Sequence, residues 1–184
     1  MILPKQKLRR GSAIIGYWIL AILLAGTLAI VIRSFVLVPA SVAGQSMAPN
    51  LKSADQLLLR TSGPIKRFDI VVFKRSDHVT YVKRVIGLPG ETVAYRNDRL
   101  YVNGRYVTEP FLNQVKRKTG ILTSDFELKA LMGEYQIPAN EYFVLGDNRQ
   151  ISKDSRLFGT IHRDTILGRA VAVYYPLHDI QRLK

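Results

Sequence analysis

The chain has 184 residues, contains no cysteine and carries a formal net charge of +13. This length allows one core domain, alone or with a short appendage, and excludes a large multidomain enzyme. The lack of cysteine excludes a disulfide framework, a thiolate metal site and a cysteine nucleophile. With only three histidines present, we expect neither a metal nor another cofactor. The excess of 27 Lys and Arg over 14 Asp and Glu predicts a polyanionic partner, either nucleic acid or an anionic membrane surface.

The first 32 residues have the pattern of a membrane anchor. Residues 1–10 form a basic tail, and residues 11–32 follow as an uncharged, mainly apolar run. As a helix this run would be roughly 33 Å long, enough to cross the hydrocarbon core of a bilayer. Four basic residues precede it and only Arg33 follows closely. The positive-inside rule then predicts a single-pass cell-membrane protein with a cytoplasmic tail and an extracytoplasmic domain over residues 33–184.

A cleaved signal peptide is the alternative interpretation of the same segment. Ser41-Val42-Ala43 has the small-x-small pattern of a cleavage site, but the apolar run is longer than a usual signal-peptide core. Either way the remainder of the chain is exported. Four of the 27 basic residues and none of the acidic ones precede the end of the run, which leaves the exported part at +9. We therefore expect anionic lipid headgroups, and not nucleic acid, as the polyanionic partner.

Beyond Arg33 the sequence predicts strands. Short β-branched and aromatic runs alternate with Gly, Pro and Asn-Asp breaks, and no long segment has a period of 3.6. Asn103-Gly104 predicts the turn of a hairpin over residues 100–107. Residues 123–132 could hold one or two helical turns. The predicted fold is a mainly β, antiparallel domain preceded by one transmembrane helix, with further strands at residues 68–73, 79–86, 142–145 and 169–175.

Ser46 is the first candidate for chemistry. It lies between Gly44 and Pro49, two residues that disfavour regular structure, so we expect an exposed, irregular segment. A serine in a loop is most often a solvated serine, and a nucleophilic one needs a base. None of the three histidines has the sequence context of a catalytic triad.

Lys83 is a candidate base. In the predicted strand over residues 79–86 it shares a face with Val79, Tyr81 and Val85. Desolvation among apolar neighbours lowers the pKa of a lysine, and a neutral amine can act as a general base. The alternative is a lysine at a strand edge that extends its amine into solvent.

A polar turn directly after the strand at residues 142–145 is the third candidate. It begins with Gly146, and a rigid strand would position its side chains. Asp154 and Arg156 could pair, and Ser152 could hydrogen-bond a neutral lysine amine. A well-capped turn without any catalytic role would have the same composition.

Taken in order, these segments resemble the type I signal peptidases, in particular the short, single-span form of Gram-positive bacteria. The resemblance covers most of the chain. It is carried by an N-terminal anchor followed by GQSMAPN, RFDIVVF, YVKRVIGLPGETV, LYVNG and VLGDNRQISKDSRLFG.

The resemblance implies a membrane-bound serine endopeptidase that removes signal peptides from exported preproteins after small residues. Ser46 would be the nucleophile, and Lys83 would be its general base. Ser152 would hold the lysine amine, Asp154 and Arg156 would form a supporting salt bridge, and Asp147 and Asn148 would shape the loop. Two shallow pockets would accept the small residues, and their walls would include Val42, Met47, Leu51, Tyr81 and Val82. The resemblance also implies a small β subdomain inserted at residues 97–140.

Two positions depart from the usual family pattern. Asn50 stands where Thr is common, and we expect this change to be tolerated. Gly44 stands where some relatives carry a hydroxyl residue that donates to the oxyanion. The oxyanion would then depend on backbone N–H groups, chiefly that of Ser46.

Two other classes of function remain open at this stage. One is a non-catalytic, membrane-anchored β domain that binds preproteins or an anionic surface. The other is a serine–lysine self-cleaving protease of the repressor type, which the predicted anchor disfavours.

Overall fold

The computed structural model describes residues 15–27, 37–76, 79–113, 115 and 122–183. The chain divides into two compact units, Met1–Val36 and Leu37–Lys184.

In the first unit, residues 15–27 form a helix, α1. Its apolar side chains are exposed, with Tyr17 at 74% and Trp18 at 67% of full exposure. The predicted span over residues 11–32 falls only partly within the described residues, and the predicted tail over residues 1–10 lies outside them. Within the described ranges, no helix reaches the length and apolar character that a membrane crossing requires.

The second unit is built from antiparallel strands, with two short helices that lie wholly within the described residues, which agrees with the predicted mainly β class. The strands are β1 Leu37–Ser41, β2 Gln56–Arg60, β3 Ile70–Lys74, β4 Thr80–Gly87, β5 Val93–Arg96, β6 Arg99–Val102, β7 Arg105–Val107, β8 Phe126–Glu127, β9 Glu141–Leu145, β10 Ile161–His162, β11 Ile166–Tyr175 and β12 Gln181–Arg182; the helices are α2 Leu128–Met132 and α3 Ser155–Phe158.

The larger sheet has the order β1-β2-β11-β3-β4-β9-β10, and β12 pairs with β11. The smaller sheet has the order β7-β6-β5-β8. Its β6–β7 turn has positive φ at both Asn103 (50°) and Gly104 (75°), as the predicted Asn-Gly hairpin requires. This sheet begins at Val93, ahead of the predicted subdomain limits of 97–140, and the subdomain itself stays a prediction.

Strand β4 contributes residues to all three hydrophobic clusters of the core. Val82 packs in the cluster beneath β1 and β2, and Val85 packs in a cluster with residues of β3 and β9. Ile86 packs with residues of the smaller sheet, including Tyr95. Both faces of β4 are therefore covered from Val82 onward, and a strand covered on both faces buries every side chain that it carries.

Two strand predictions differ from the structure by two residues or more at their first residue. The strand predicted to begin at residue 68 begins at Ile70, because Phe68 has a φ of 71° and leaves the extended conformation. The strand predicted from residue 169 begins three residues earlier, at Ile166, and continues to Tyr175 through two register shifts.

Candidate active site

Ser46 lies in a turn that follows β1. Hydrogen bonds from Val42 N to Asp55 O and from Ala54 N to Val42 O, each 2.9 Å, fix the start of this segment. Gly44 has a φ of 84°, and no atom lies within 4 Å of the place where its Cβ would be. Its backbone conformation, and not lack of space, therefore favours glycine there. Ser46 itself is half-buried.

Strand β4 carries Lys83 to this turn. Lys83 Nζ lies 2.7 Å from Ser46 Oγ and donates to the Val82 carbonyl at 2.9 Å. Only 2% of Lys83 is exposed. Both hydrogen-bond partners are neutral, so neither supplies a charge that would compensate a buried ammonium.

Burial lowers the pKa of Lys83 to about 8, and the more distant carboxylates of Asp154 and Asp147 only partly oppose this effect. An amine with such a pKa is substantially neutral in mildly alkaline solution. It can then accept the proton of a hydroxyl that lies within hydrogen-bond distance. A serine hydroxyl in contact with a weakly basic, buried amine is an arrangement that hydrolases use for covalent catalysis.

The polar turn after β9 contacts the Ser46 segment through its backbone. Asn148 N donates to the Ser46 carbonyl at 3.0 Å. A Cβ on Gly146 would lie 2.1 Å from Ser152 Oγ and 2.5 Å from the Ser46 carbonyl oxygen. Only glycine allows this close approach. The two segments are therefore packed backbone to backbone.

Ser152 lies under this turn with 6% of its surface exposed. Its Oγ is buried and has no hydrogen-bond partner within the described part of the chain. The structure thus brings Ser152 to the Gly146 turn without a hydrogen bond to Lys83, and its predicted contact with the amine stays a prediction.

Asp154 and Arg156 form a salt bridge beneath the same turn. Arg156 donates to both carboxylate oxygens of Asp154 at 2.8 Å and to the Arg149 carbonyl at 2.7 Å. Gly146 N donates to Asp154 Oδ2 at 3.0 Å. Asp154 also caps the N-terminus of α3 by accepting from Arg156 N. This pair fixes both ends of the turn.

Asp147 accepts hydrogen bonds from two residues that the sequence analysis gave no role in the site. Arg84 donates to its two oxygens at 2.8 and 2.6 Å, and both side chains are almost fully buried. Asn50 Nδ2 donates to Asp147 at 2.8 Å and to the Phe111 carbonyl at 3.1 Å. The alternation of side chains in β4 could have indicated the role of Arg84. This residue shares a face with Val82 and Ile86, and a buried arginine needs a carboxylate.

The five predicted pocket residues divide between two parts of the core. Val42, Met47, Leu51 and Val82 belong to one cluster, and Met47 and Leu51 are at most 1% exposed. Tyr81 packs on the other side, stacked on Phe73 with ring centroids 5.7 Å apart. Their predicted roles as pocket walls stay predictions. Within the described ranges, no group of three or more His, Cys, Asp or Glu residues is placed to hold a metal ion.

Comparisons with known proteins identify the family. The model of the signal peptidase family, peptidase S26, matches residues 15–175. A signal peptidase I of Bacillus caldolyticus is 44% identical over 180 residues, which cover 95% of this chain and 96% of that protein. A signal peptidase IB of Staphylococcus aureus is 38% identical over 174 residues, which cover 89% of this chain and 91% of that protein.

A solved structure agrees with these matches. The crystal structure of a signal peptidase I from Enterococcus faecalis V583 superimposes with a TM-score of 0.55 at 42% identity, covering 58% of this chain and 97% of that one. The chain therefore belongs to the peptidase S26 family of signal peptidases, and it is a hydrolase.

The Arg84–Asp147 pair gives a stability prediction. Asp147→Ala leaves the Arg84 guanidinium buried without its carboxylate, and the free energy of unfolding should fall by about 3–5 kcal/mol. The matched control is Asp179→Ala, which breaks the solvent-exposed pair with Lys52 and should cost far less. Urea denaturation of both variants measures the difference. Equal losses for the two substitutions would contradict the prediction.

Proposed function

We propose that this chain removes N-terminal signal peptides from exported preproteins, cleaving after small residues, with Ser46 as nucleophile and Lys83 as general base. The observation that carries the proposal is the 2.7 Å contact between Ser46 Oγ and the buried amine of Lys83. Family membership supports the substrate class, because the relatives are named signal peptidases. Of the histidines, His162 and His178 have exposed side chains that pair with nearby Asp residues, and His78 lies outside the described residues.

The reaction would proceed in two stages. Ser46 Oγ bonds to the carbonyl carbon of the scissile amide while its proton passes to Lys83 Nζ. The C–N bond then breaks as the Lys83 ammonium returns this proton to the leaving amine, and the signal peptide remains as an ester on Ser46. A water molecule next attacks the ester and gives a proton to Lys83. That proton returns to Ser46 Oγ as the acid product departs.

The surrounding groups would support this chemistry through position and charge. The Ser46 N–H, on the segment that Gly44 turns, would donate to the oxyanion. Asp147 and Asn148 would hold the shape of the opposing loop. Ser152 would orient the neutral amine. Its buried hydroxyl has no partner among the described residues, which supports this role because such groups rarely lack one. The Asp154–Arg156 pair would fix the loop from below. No metal or cofactor takes part.

The small residues of the signal peptide would enter pockets beside Ser46. Met47 follows the nucleophile directly, and Val82 precedes the base, so an apolar surface flanks both reacting groups. Val42, Leu51 and Tyr81 would complete the walls. Apolar walls next to the nucleophile would admit only small groups, which is the basis of the proposed specificity.

We place the active domain outside the cell membrane, anchored by one span over residues 11–32. The lack of charge in this segment supports an anchor. The exposed apolar surface of α1 supports contact with lipid, because a helix that is apolar all round needs an apolar environment. The basic tail would stay in the cytoplasm, and the net positive charge of the remainder would favour anionic headgroups.

Substitution of the two reacting groups tests the catalytic roles. Ser46→Ala and Lys83→Met should each reduce cleavage of a purified preprotein by at least about a thousandfold, because each removes an indispensable proton-transfer partner. The matched controls are Ser62→Ala and Lys74→Ala, whose side chains are exposed, and these should cleave like wild type. Mass analysis of the product ends locates the cleaved bond. A folded Ser46→Ala or Lys83→Met variant that cleaves at near the wild-type rate would refute the assignment.

The pKa of Lys83 sets the pH dependence of cleavage. Since the protonated amine cannot act as a base, kcat/KM should rise about tenfold per pH unit on the acidic side and level off above an apparent pKa of about 8. A pH–rate profile on a preprotein measures this limb, with circular dichroism at each pH as a control for folding. A profile that stays flat from about pH 6 to 9 would exclude Lys83 as the base.

The anchor can be tested in bacterial cells. Full-length chain should remain with membranes after an alkaline wash, and protease added to spheroplasts should digest the domain after Arg33. Leu23→Lys combined with Leu24→Lys should release the chain from the membrane, because each lysine at the centre of a span costs about 2.5–3.5 kcal/mol. The control is the corresponding pair of alanine substitutions, which should remain inserted. Recovery of the wild-type chain in the soluble fraction would contradict the proposed span.

A further inference from the structure

A buried polar cluster lies between the smaller sheet and the turn beside Ser46. It consists of Tyr95 on β5, Glu109, Thr123 and Arg149, and every member is at most 6% exposed. Arg149 belongs to the turn that begins at Gly146, while the other three come from the β5–β8 region. None of these four residues takes part in the chemistry proposed above.

The Arg149 side chain is held by several hydrogen bonds at once. One terminal nitrogen donates to Glu109 Oε1 at 2.5 Å. The other donates to Tyr95 Oη at 2.5 Å and to Thr123 Oγ1 at 3.1 Å. Tyr95 Oη in turn donates to Glu109 Oε1 at 2.5 Å. The guanidinium therefore has little freedom to rotate or shift.

The protonation states of Tyr95 and Arg149 are also fixed. Burial raises the pKa of the Tyr95 hydroxyl well above its usual value, so this group remains a donor to Glu109. Burial alone would lower the pKa of Arg149, yet its neighbours Tyr95 and Glu109 outweigh that effect and raise it. A buried charge pair of this kind adds little net stability compared with apolar residues of similar volume. Its geometry is therefore the feature that needs an explanation.

The third nitrogen of the Arg149 guanidinium, Nε, points toward the active site. Arg149 Nε donates to the Gly146 carbonyl at 3.0 Å. Gly146 is the residue that packs against both Ser152 Oγ and the Ser46 carbonyl without room for a Cβ. A shift of the Gly146 peptide would therefore move the backbone that carries the nucleophile.

The segment that supplies Glu109 reaches the nucleophile by a second route. It continues into a short 3-10 turn, Pro110–Leu112, and the Phe111 carbonyl accepts a hydrogen bond from Asn50 at 3.1 Å. Asn50 is in the same turn as Ser46. The Glu109–Leu112 segment thus supports both sides of the active site, one through Arg149 and the other through Asn50.

We propose that Arg149, locked by Glu109 and Tyr95, is a positioning residue that holds the Gly146 carbonyl and thereby sets the distance between Ser46 and Lys83. The smaller sheet then takes part in the reaction by fixing the nucleophile, although it supplies no reacting group. This inference rests on the proposed catalytic roles of Ser46 and Lys83.

Arg149→Lys separates positioning from structural support. A lysine keeps the positive charge opposite Glu109 but lacks the Nε–H that reaches the Gly146 carbonyl. A displacement near 1 Å can cost about a hundredfold in rate, so kcat for preprotein cleavage should fall about ten- to a hundredfold, with KM within about twofold of wild type. The matched control is Arg96→Lys, which alters the exposed Arg96–Glu127 pair of the smaller sheet. This control should leave kcat and KM unchanged.

A second variant keeps the test decisive if Arg149→Lys fails to fold. Glu109→Gln combined with Arg149→Met removes both buried charges together, so the domain should keep its thermal stability. The Gly146 carbonyl still lacks its donor, and kcat should stay at least about tenfold low. A wild-type kcat in either folded variant would overturn the inference. A loss of activity fully accounted for by the fraction of the variant that is unfolded would overturn it as well.

The assay distinguishes this inference from the function on which it rests. Wild-type chain that fails to cleave the preprotein would refute the proposed function itself. The positioning role alone would be refuted if the wild-type chain cleaves, Ser46→Ala is inactive and Arg149→Lys is fully active.

Discussion

The burial of β4 on both faces is the constraint on which the active site depends. Two adjacent cations, Lys83 and Arg84, are carried into the interior because the apolar residues around them require the strand to be covered. Their alternate directions give them different neighbours. Arg84 meets the carboxylate of Asp147 in a two-point salt bridge. Lys83 hydrogen-bonds the neutral Ser46 hydroxyl and a backbone carbonyl, and burial outweighs the opposing effect of the more distant carboxylates, which weakens its hold on a proton. One strand thus provides both a structural arginine and a buried amine of lowered pKa, the proposed general base.

The two loops of the site are organised around that strand by backbone contacts. The Ser46 carbonyl accepts from Asn148 N, and Gly146 packs against it directly. Side chains then secure this contact from several directions: Asp154 binds Gly146 N, Arg149 binds the Gly146 carbonyl, and Asp147 ties the turn to β4. Peptide groups have few soft degrees of freedom once they are hydrogen-bonded. A site built in this way can hold a short distance such as that between Ser46 and Lys83 although neither residue is on a helix.

The elements that the sequence predicts well are those with local determinants. Asn103-Gly104 specifies its own turn, and the apolar alternation of residues 79–86 specifies a buried strand, so both agree with the structure. Strands β1 and β2 were not predicted, because neither has a local pattern that distinguishes it from a loop. The limit at Phe68 was missed because its positive φ depends on hydrogen bonds to β4.

The site could be predicted only in part. Alternation in β4 indicated that Lys83 would be desolvated, but Ser46 lies 37 residues earlier, and nothing in local periodicity brings the two together. That pairing came from the likeness to a known family. The cluster of Tyr95, Glu109 and Arg149 joins three separate segments, and each residue alone has the pattern of an ordinary strand or loop position. Contacts of this kind follow from the packing of two sheets, which the sequence pattern does not specify.

The lowered pKa of Lys83 has a thermodynamic consequence for the whole domain. Its pKa is about 8 when folded, against an ordinary value of 10.5, so unfolding takes up a proton between these two pH values. Stability therefore rises with pH across this interval, and below it the fold bears the full penalty, about 3 kcal/mol. A domain of this size has a total stability of only about 5–15 kcal/mol. A buried lysine with this lowered pKa therefore costs a sizeable fraction of the folding free energy, and the close packing around β4 has to supply the difference.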